Sequence, residues 1–450
     1  MTGAVLALDI GSSSVRGAVF DAAGERRQLA GRSYAHRADR GAAGVFPAAG
    51  IALVLREVLH ELDLTGVRHV AVSSLWHSLL GIDQDGAPCT DVYTWEASAP
   101  DATLDTLAEH LDLLEYRRRT GSYFHASYPL AAWWYLRQQQ VTAHRWSDLP
   151  GWLMAEVLGV EGGWSVDIAA GSGMWNQDLA EWDAPTAHAV GVDLSSLGAP
   201  WRESRPTGPR ARTFGLEDAV VIPPYGDGVC NSIGIGAVGP TVSALTAGTS
   251  GSLRVLLDGD APHAPFGLWR YRLDDYTGIG GAVSNAGNLL HWIRGTLGVD
   301  DPLAFAAGEP PAFDGLVAQP HFAGERGPGY SRSATGALDG LRLHHTRSDI
   351  AHALVFSLLA TYRQLTELTL TAVPTVSSFI AAGGILNARP EFAQLLADAT
   401  GQPVYPSDAD ESSLAGAALR ARGRVAAWPS REPLLPRPEW TSAIAERMNP

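Results

Sequence analysis

The chain has 450 residues, 46% hydrophobic and 18% charged, so it can build two or three domains with real cores and is too apolar for wholesale disorder. It contains no lysine, so all 33 basic residues are arginines, which excludes amine nucleophiles and the lysine-dependent phosphate sites of P-loop proteins and protein kinases. A formal net charge of −15 disfavours nucleic acid and anionic membranes as partners.

Cysteine content and apolar patterning indicate the cellular compartment of the protein. Its two cysteines, Cys89 and Cys230, are too few for a disulfide framework or a four-thiolate zinc site, and they fit a reducing cytosol. No apolar run approaches the roughly 18 residues of a membrane helix, and Asp9 stands where a signal peptide would be apolar. We therefore expect a cytoplasmic protein without membrane partners.

The first predicted elements are two strands joined by a polar turn. Residues 4–9 form a buried strand pattern, which breaks at residues 10–14, Ile-Gly-Ser-Ser-Ser, and resumes at residues 15–20. The small polar residues between the strands favour a hairpin whose connection is rich in N–H groups. A helix is predicted for residues 51–62 and a strand for residues 67–73.

The second half of the chain begins with a similar hairpin. Residues 242–247 and 252–257 are predicted strands, with Gly-Thr-Ser-Gly at residues 248–251 between them. Gly11 and Gly248 stand 237 positions apart, about half the chain length, which indicates an internal duplication. Two α/β lobes would then offer both turns to one polyanion in a shared cleft. The alternative is two unrelated hairpins, because Gly-Ser turns are common.

The rest of the second half mixes strands, glycine-rich segments and helices. A strand is predicted for residues 269–276, followed by a glycine-rich stretch at residues 278–287. The tail from Trp428 carries five prolines and is predicted to be a docked arm instead of a domain. Helical patterns cover residues 101–159, 288–297, 348–370 and 388–400.

A lone acid on a glycine-flanked turn is the candidate catalytic base. Asp227 lies between Gly226 and Gly228, which let a substrate approach its carboxylate closely, as general-base catalysis requires. The alternative is an ordinary Asp-Gly turn. The following segment, residues 234–239, matches the dinucleotide pattern GxGxxG, but it precedes a strand where that motif should open a helix. Packing glycines at a domain hinge are the better explanation.

Two further motifs suggest a nucleotide and a metal. Residues 381–387, Ala-Ala-Gly-Gly-Ile-Leu-Asn, form a strand ending in paired glycines, whose bare backbone allows a flat ring such as adenine to lie against it. The alternative is a structural left-handed turn. Asp9 can hold Mg²⁺ through water, or it caps the turn that follows it. His344 and His345 are expected to point to opposite sides, so we predict no other metal site.

Taken in order, these motifs resemble those of the FGGY carbohydrate kinases, in the actin/hexokinase-type ATPase superfamily. The matching motifs are the first phosphate motif at residues 8–16, the second at 246–251, the adenosine motif at Gly383, Gly384 and Asn387, and the closing helix at 410–418. The resemblance implies an α/β fold of two actin/hexokinase-like (ribonuclease H-like) lobes with an interdomain active-site cleft. Residues 1–238 would carry the sugar site, the first phosphate motif and the catalytic Asp. Residues 239–450 would carry the second phosphate motif, the adenosine site and a proline-rich arm.

The resemblance also implies an ATP-dependent kinase that uses Mg²⁺, with Asp227 as the base and Asp9 as the metal ligand. Arg16 would replace the lysine that many kinases use, and its charge cannot be lost by deprotonation. The residues expected to bind the sugar are Trp76, His77, Trp95, Glu96 and Asp227. The residues expected to bind ATP are Gly11, Ser12, Ser13, Ser14, Arg16, Gly248, Thr249, Ser250, Gly383, Gly384 and Asn387.

Within the family, the gluconate-kinase branch looks nearest. The segments that fit it are residues 73–80, 227–234, 280–287 and 324–328. The sugar side departs from the family's pattern at three places. The usual Gln before Trp76 is Leu75, the Asp and Arg usual after Trp95 are missing at Glu96-Ala97, and the usual Lys after Tyr128 is replaced by Ala132.

The expected reaction is therefore phosphorylation of a hydroxyl of a small sugar or sugar acid, with a gluconate-like substrate favoured. The alternatives are a xylulose, ribulose or other pentose or polyol kinase, and a non-catalytic sugar-binding protein of the same fold. The expected partners are the sugar and ATP, without nucleic acid or membrane, and a homodimer is left open.

Overall fold

The computed structural model describes residues 3–34 and 44–447. The chain groups into two compact units, each assembled from three segments. The first unit comprises Met1–Gly234, Arg270–Thr277 and Glu411–Ala426, and the second unit comprises Ile235–Trp269, Gly278–Asp410 and Ala427–Pro450. Residues 411–426, which the sequence assigned to the C-terminal lobe, thus group with the first unit.

Strands and helices alternate along both units. The strands are β1 (Ala4–Ile10), β2 (Ser14–Phe20), β3 (Arg26–Ser33), β4 (Val45–Phe46), β5 (Val67–Ser74), β6 (Ser78–Ile82), β7 (Val92–Thr94), β8 (Arg145–Ser147), β9 (Trp175–Asn176), β10 (Glu181–Trp182), β11 (Arg205–Pro206), β12 (Val220–Val221), β13 (Tyr225–Gly226), β14 (Val242–Ala247), β15 (Gly251–Asp258), β16 (Trp269–Arg272), β17 (Tyr276–Val283), β18 (Val317–Gln319), β19 (Ala337–Asp339), β20 (Ser378–Ala382) and β21 (Val404–Pro406).

The helices include one long element and many of three turns or fewer. They are α1 (Ala48–Glu61), α2 (Leu104–Ala108), α3 (Leu113–Thr120), α4 (Pro129–Gln138), α5 (Leu149–Leu158), α6 (Val166–Ala170), α7 (Ala184–Val190), α8 (Asp227–Gly234), α9 (Gly287–Trp292), α10 (Arg347–Ala372), α11 (Gly384–Ala388), α12 (Pro390–Thr400), α13 (Ser412–Arg420) and α14 (Pro438–Glu446). Short 3₁₀ helices occupy Ala99–Thr103, Leu194–Ser196, Pro209–Phe214 and Ala304–Ala307, and a π-helix occupies Ile293–Leu297.

The first unit is built on a mixed sheet of order β11-β12-β5-β1-β2-β3, with β13 also paired to β5. β1 and β2 form the predicted antiparallel hairpin, and β5 lies parallel to β1 on its other side. Helix α1 covers the sheet with the fully buried side chains of Ile51, Leu55 and Val58. A smaller sheet of order β4-β7-β6-β8 and the pair β9-β10 complete the strands of this unit.

The second unit repeats this arrangement in its own sheet, where β17, β15, β14, β20 and β21 lie side by side in that order. β14 and β15 form an antiparallel hairpin, and β20 lies parallel to β14, with Thr246 opposite Ala382. A hairpin flanked by a parallel strand therefore forms the centre of both sheets, as the internal repeat predicted. The pair β18-β19 stands apart from this sheet.

The structure adds detail to three segments of the sequence prediction. The strand predicted for residues 269–276 is broken between β16 and β17 by a turn, in which the Leu273 N–H bonds the Tyr276 carbonyl. The glycine-rich stretch is mostly strand β17. Its glycines allow close packing, since a Cβ at Gly280 or Gly281 would lie 2.4 Å from a neighbouring atom. The tail forms helix α14, whose Trp440 is buried in the second unit's core.

Helix α13 joins the first unit through close helix packing. It contacts α8, β1 and β5 of that unit. A Cβ at Gly416 would lie 1.7 Å from the Cys230 carbonyl oxygen, and one at Gly234 would lie 1.9 Å from the Ser412 carbonyl oxygen. Glycine at both positions is therefore what lets α8 and α13 touch backbone to backbone.

Within residues 3–34 and 44–447, none of the helices is both long enough and apolar enough to cross a lipid bilayer.

Candidate active site

Three parallel strands of the first unit end at one edge of its sheet, and each leads into a predicted site residue. Asp9 lies near the end of β1, Trp76 follows β5, and Asp227 follows β13 directly. In register, Ser73 of β5 lies opposite Asp9 on one side and opposite Tyr225 on the other. Ligands of α/β sheets bind beyond the carboxyl ends of the strands, so this edge is the candidate site of the first unit.

Asp9 is a buried carboxylate with a hydrogen-bond donor and a cation beside it. Its Oδ1 accepts a hydrogen bond from the Ser73 hydroxyl at 2.9 Å, and its Oδ2 lies 3.3 Å from an Arg16 nitrogen. Burial raises the pKa of Asp9 to about 6; Arg16 and Ser73 oppose the rise, and the charges of Asp227 and Glu411 add to it. A divalent cation would relieve this concentration of carboxylates, so the donor set fits Mg²⁺.

The first phosphate turn follows Asp9 and is held by its own backbone. The Gly11 N–H donates to the Ser14 carbonyl at 3.0 Å, and the Tyr34 N–H donates to the Ser13 carbonyl at 3.0 Å. Ser13 is exposed, while Ser12 and Ser14 are partly exposed. The turn therefore presents three accessible serines on a fixed main chain.

Arg16 lies in β2 opposite Asp9 and bonds two carboxylates. Its guanidinium donates to Glu411 at 2.5 Å and lies 3.3 Å from Asp9, with the side chain 40% exposed. Glu411, which precedes α13, adopts a left-handed backbone conformation with φ of 52°. The two carboxylates fix the direction of Arg16 while leaving it partly accessible.

Asp227 is the first residue of helix α8, not part of an isolated turn as the sequence suggested. The helix forms because Val229, Cys230 and Ile233 make a fully buried apolar face. The Gly228 N–H donates to the Asp227 carboxylate at 2.7 Å. A helix N-terminus favours a negative charge in its first turn, so the fold supports Asp227 as a carboxylate.

Trp76 is fixed directly beside the start of α8. A Cβ at Gly226 would lie 2.3 Å from the Trp76 indole, and one at Gly171 would lie 3.1 Å from it. The indole N–H donates to the Asp167 carbonyl at 2.7 Å. Glycine is required at the residue before Asp227 because the flat ring occupies the space of its side chain.

Four aromatic rings of the first unit form a cluster next to Trp76, which we call the aromatic cluster: Trp76, His77, Tyr128 and Tyr271. The His77 ring lies 4.7 Å from that of Tyr128, and the Trp76 ring 5.2 Å from that of Tyr271. The two tyrosine hydroxyls hydrogen-bond each other at 2.9 Å. His77 Nδ1 lies 2.7 Å from a backbone carbonyl, which can only accept, so its proton is on Nδ1 and Nε2 is an acceptor.

The other two predicted sugar residues are Trp95 and Glu96. Trp95 is partly buried and packs against the core of the first unit. Glu96 is exposed and its charge acts on Tyr34, whose hydroxyl donates to the Gly11 carbonyl. The structure therefore relates Glu96 to the phosphate turn.

The three departures from the family pattern are small or apolar side chains inside the first unit. Leu75 is 1% exposed, Ala97 3% and Ala132 4%. None of them offers a polar group to a sugar, so the polar contacts that the family's residues would make must come from other side chains or be missing.

The second phosphate turn lies at the carboxyl end of β14 in the second unit. The Gly248 N–H donates to the Ser250 carbonyl at 2.9 Å, so this turn, like the first, is closed by a backbone bond from its glycine. The start of α9 ties the turn down, because the Gly287 N–H donates to the Gly248 carbonyl at 2.9 Å and the Asn288 N–H to the Thr249 carbonyl at 3.1 Å. Thr249 itself is exposed.

The paired glycines follow the parallel neighbour of β14. Gly383 has φ of 132°, and a Cβ there would lie 2.2 Å from the Ala247 carbonyl oxygen, so only glycine fits. At Gly384 a Cβ would meet nothing within 4 Å. Gly384 and Asn387, both exposed, therefore border open space at the same sheet edge as the second phosphate turn.

Sequence reasoning missed a group that supports the edge of the first sheet. Arg420, at the end of α13, forms a buried ion pair with Asp167 of α6 and lies over the ring of Tyr225. An arginine ending a helix of small apolar residues was the available signal, since such a charge needs a partner when the helix is buried.

The expectation that His344 and His345 point apart is wrong. Their rings lie 4.4 Å apart, and Asp314 lies 2.8 Å from His344 Nε2. The loop before α10 turns tightly, with the Arg342 N–H donating to Nδ1 of His345. That bond places the proton of a neutral His345 on Nε2, so this trio does not present three lone pairs to a metal.

Comparison with known proteins finds similarity to carbohydrate kinases. Residues 243–422 match the family model described as the C-terminal domain of the FGGY family of carbohydrate kinases. A gluconokinase from Bacillus subtilis (strain 168) is 26% identical over 465 residues, covering 94% of this chain and 89% of the relative.

Two solved structures show the fold. A gluconate kinase from Lactobacillus acidophilus superposes with a TM-score of 0.87 at 20% identity, covering 99% of this chain and 96% of that one. A xylulose kinase from Lactobacillus acidophilus superposes with a TM-score of 0.88 at 21% identity, covering 100% and 96%. The predicted α/β fold of two actin/hexokinase-like domains is confirmed.

The repeated phosphate turns and the matched domain place the protein among the ATP-dependent carbohydrate kinases. Within that class, residues 243–422 match the C-terminal domain of the FGGY family of carbohydrate kinases, the family that the sequence motifs resemble.

Proposed function

We propose that this protein transfers the γ-phosphoryl group of ATP to a hydroxyl of a small sugar acid, with gluconate as the favoured substrate. The observation that carries the proposal is the shared edge of β1, β5 and β13, which gathers Asp9, Trp76 and Asp227 in the first unit. A phosphate turn, a buried metal-type carboxylate and a helix-start carboxylate beside aromatic rings are the parts that such a transfer needs.

Asp227 is the proposed base. The attacking hydroxyl oxygen bonds to the γ-phosphorus as its proton passes to the Asp227 carboxylate and ADP leaves. Trp76, packed against Gly226, would fix one side of the sugar, and Nε2 of His77 would accept a hydrogen bond from a sugar hydroxyl. Asp227 is half-buried, which allows contact with a bound sugar while limiting water.

In each unit, the phosphate turn is the proposed source of contacts to phosphate oxygens. In the first unit, Ser12, Ser13 and Ser14 would donate their hydroxyls, and Arg16 would supply positive charge from its anchored guanidinium. In the second unit, the turn at residues 248–250 would donate to phosphate oxygens. The adenine ring would lie against the bare backbone of Gly384, near Asn387.

Mg²⁺ is the proposed metal, and Asp9 is the residue that would hold it, directly or through water. When bound, the ion neutralises charge on the phosphate oxygens. The Ser73 hydroxyl, 2.9 Å from Asp9, orients the carboxylate for that contact.

The substrate choice is supported by the gluconokinase relative, and the main rival is a xylulose kinase because that structure superposes equally well. The apolar side chains at Leu75, Ala97 and Ala132 favour a substrate held by fewer polar contacts than in other family members.

A coupled assay of ADP release tests the proposal. The purified protein would be given MgATP with D-gluconate, D-xylulose, D-ribulose, glycerol or ribitol, and a sugar-free blank would measure background ATP hydrolysis. We expect the highest kcat/KM with gluconate. A higher value with xylulose or another polyol would replace gluconate by that substrate. Sugar binding by calorimetry without any ADP release would instead support a non-catalytic binding protein.

We also propose a cytoplasmic location, since the reaction consumes ATP and both cysteines are free thiols. Fractionation of cells that make the protein tests this. The homodimer left open by the sequence is tested by sedimentation of the purified chain.

A further inference from the structure

The first unit contains an ion pair that is almost completely buried. The Arg420 side chain is 3% exposed and that of Asp167 is 2% exposed. The guanidinium bonds both carboxylate oxygens, through Nη1 to Oδ2 and through Nη2 to Oδ1 at 3.2 Å. Nη2 also lies 3.4 Å from Asp275. Such a pair is a poor source of stability, because an apolar pair of similar size often serves as well.

One partner of this pair contacts the segment that carries the proposed base, and the other contacts Trp76. The Arg420 guanidinium lies 3.8 Å from the ring centre of Tyr225, two residues before Asp227. The Asp167 carbonyl accepts the indole N–H of Trp76 at 2.7 Å. Trp76 in turn fills the space beside Gly226, so the pair reaches the start of α8 from two directions.

We propose that Arg420 and Asp167 are positioning residues that hold Tyr225 and Trp76, and through them the Asp227 carboxylate, in place for phosphoryl transfer. The inference rests on the proposed function, since it names the support of the proposed base. A planar guanidinium suits this task because it can bond a carboxylate with two nitrogens and stack on an aromatic ring at once. Neither residue is proposed to touch a substrate.

Replacing Arg420 by methionine tests the proposal, with Arg119 as the matched control. Arg119 also pairs with a buried aspartate of the first unit, Asp183, at 3.0 Å, and that aspartate caps helix α7, which carries none of the proposed site residues. We expect R420M to lower kcat by ~10- to 100-fold with the KM for ATP within about twofold, and R119M to lower kcat less than about threefold. Equal losses of kcat in the two variants would overturn the proposal.

A double variant separates positioning from stability. R420M alone leaves the Asp167 carboxylate buried without its cation, which destabilises the fold whatever its role. In R420M/D167L both charges are gone, so we expect thermal stability to recover towards wild type while kcat stays low. Recovery of kcat together with stability would mean that the pair is only structural.

A thiol measurement tests the inference without turnover, so that failure of the proposed function is recognised separately. Cys230 lies in α8, fully buried, and Cys89 is exposed. In a C89S background we expect Cys230 of R420M to react with a disulfide reagent at least ~10-fold faster than in the parent, because the start of α8 opens more often. R119M should react at the parent rate. Unchanged labelling in R420M would overturn the proposal even if no sugar is phosphorylated.

Discussion

Asp9 lies near the end of β1 and Asp227 follows β13, yet their surroundings give the two carboxylates different chemistry. Asp9 is 5% exposed, and burial raises its pKa to about 6, so it gains most from a cation that replaces lost water. Asp227 is half-buried at a helix N-terminus, where the helix dipole favours a negative charge and the carboxylate remains reachable. The first is suited to hold a metal, and the second to take a proton.

The change Asp227→Asn removes the proton acceptor and keeps the shape of the side chain. We expect kcat to fall by roughly 10²- to 10⁴-fold with ATP affinity nearly unchanged. Steady-state kinetics and nucleotide titration measure the two quantities. The control is Asp85→Asn, an exposed turn residue whose loss should leave kcat within about twofold. Normal turnover in D227N would remove Asp227 from its proposed role.

Two other buried aspartates of the first unit cap helices in opposite electrostatic settings. Asp148 accepts from the Gly151 N–H at the start of α5, and burial raises its pKa to about 8. Asp183 accepts from the Thr186 N–H at the start of α7; burial raises its pKa, but hydrogen bonds from Arg119 and Thr186 outweigh it, and the net shift is downward. Only the second cap has a cation to stabilise its charge.

These settings predict opposite pH dependence for Asp148→Asn and Asp183→Asn. The folded protein keeps a proton on Asp148 that the unfolded chain has released above pH 4, so wild-type stability falls from about pH 4 to pH 8. The free energy of unfolding of D148N, relative to wild type, should therefore rise by about 1–4 kcal/mol from pH 5 to pH 8. Urea unfolding at each pH measures this. A constant difference between D148N and wild type across that range would contradict it.

Asp183 provides the matched control, because its folded pKa is lowered and its stabilising charge is present above the unfolded pKa of about 3.8. D183N should be less stable than wild type at pH 7 by about 1–3 kcal/mol. The deficit should shrink as the pH falls through the folded pKa of Asp183. A gain of stability in D183N at pH 7 would show that Arg119 does not stabilise the charge.

At the scale of elements, the contact between α8 and α13 is set by two glycines. A Cβ at Gly416 or at Gly234 would lie under 2 Å from a backbone oxygen of the other helix. α8 begins with the proposed base and α13 ends with Arg420, so the closeness of these helices brings the support and the base into one packed group.

Gly416→Ala should therefore be strongly destabilising. A backbone carbonyl cannot move aside as a side chain can, and we expect a loss of about 2–3 kcal/mol or more in the free energy of unfolding. The control is Gly50→Ala in α1, where a Cβ meets nothing within 4 Å and alanine should add ~0.5–1 kcal/mol. Urea titrations of both variants measure the difference, and a neutral G416A would show that the helices can separate without cost.

The elements that the sequence predicted well are those with local signals. Both hairpins follow from apolar strands around small-residue turns, and α10, predicted for residues 348–370, spans 347–372. Most of β17 was given no element in the sequence prediction, because its glycines serve close packing against neighbours that lie far away in the chain. α8 was read as a turn because Asp227 and Gly228 are turn residues in isolation.

The candidate site also contains parts that local sequence signals predict and parts that they do not. The phosphate turns and paired glycines are contiguous motifs, so their spacing predicts them. Arg420 and Asp167 are 253 positions apart, and no local pattern can pair them. Their meeting depends on α13 packing into the first unit, which only the folded chain reveals.

On the scale of the whole molecule, each unit has its own core. The core of the first unit includes Leu55 and Val58 of α1, and that of the second includes Phe356 of α10 and Ile444 of α14. Each unit is assembled from three separate segments of the chain, so residues that are distant in sequence pack together in it. We therefore expect a substitution in one core to change the stability of that unit alone.

Calorimetry of two matched core variants tests this independence. Leu55 and Ile444 are both 0% exposed, one in each core, and truncation to alanine costs about 2–5 kcal/mol at such sites. We expect two unfolding transitions in the wild type, with L55A lowering one midpoint by ~5–15 °C and I444A lowering the other. The unshifted transition in each variant is the internal control. If both variants instead lower one shared transition, the two cores unfold as a single cooperative unit, and stability measured at one core would speak for the whole protein.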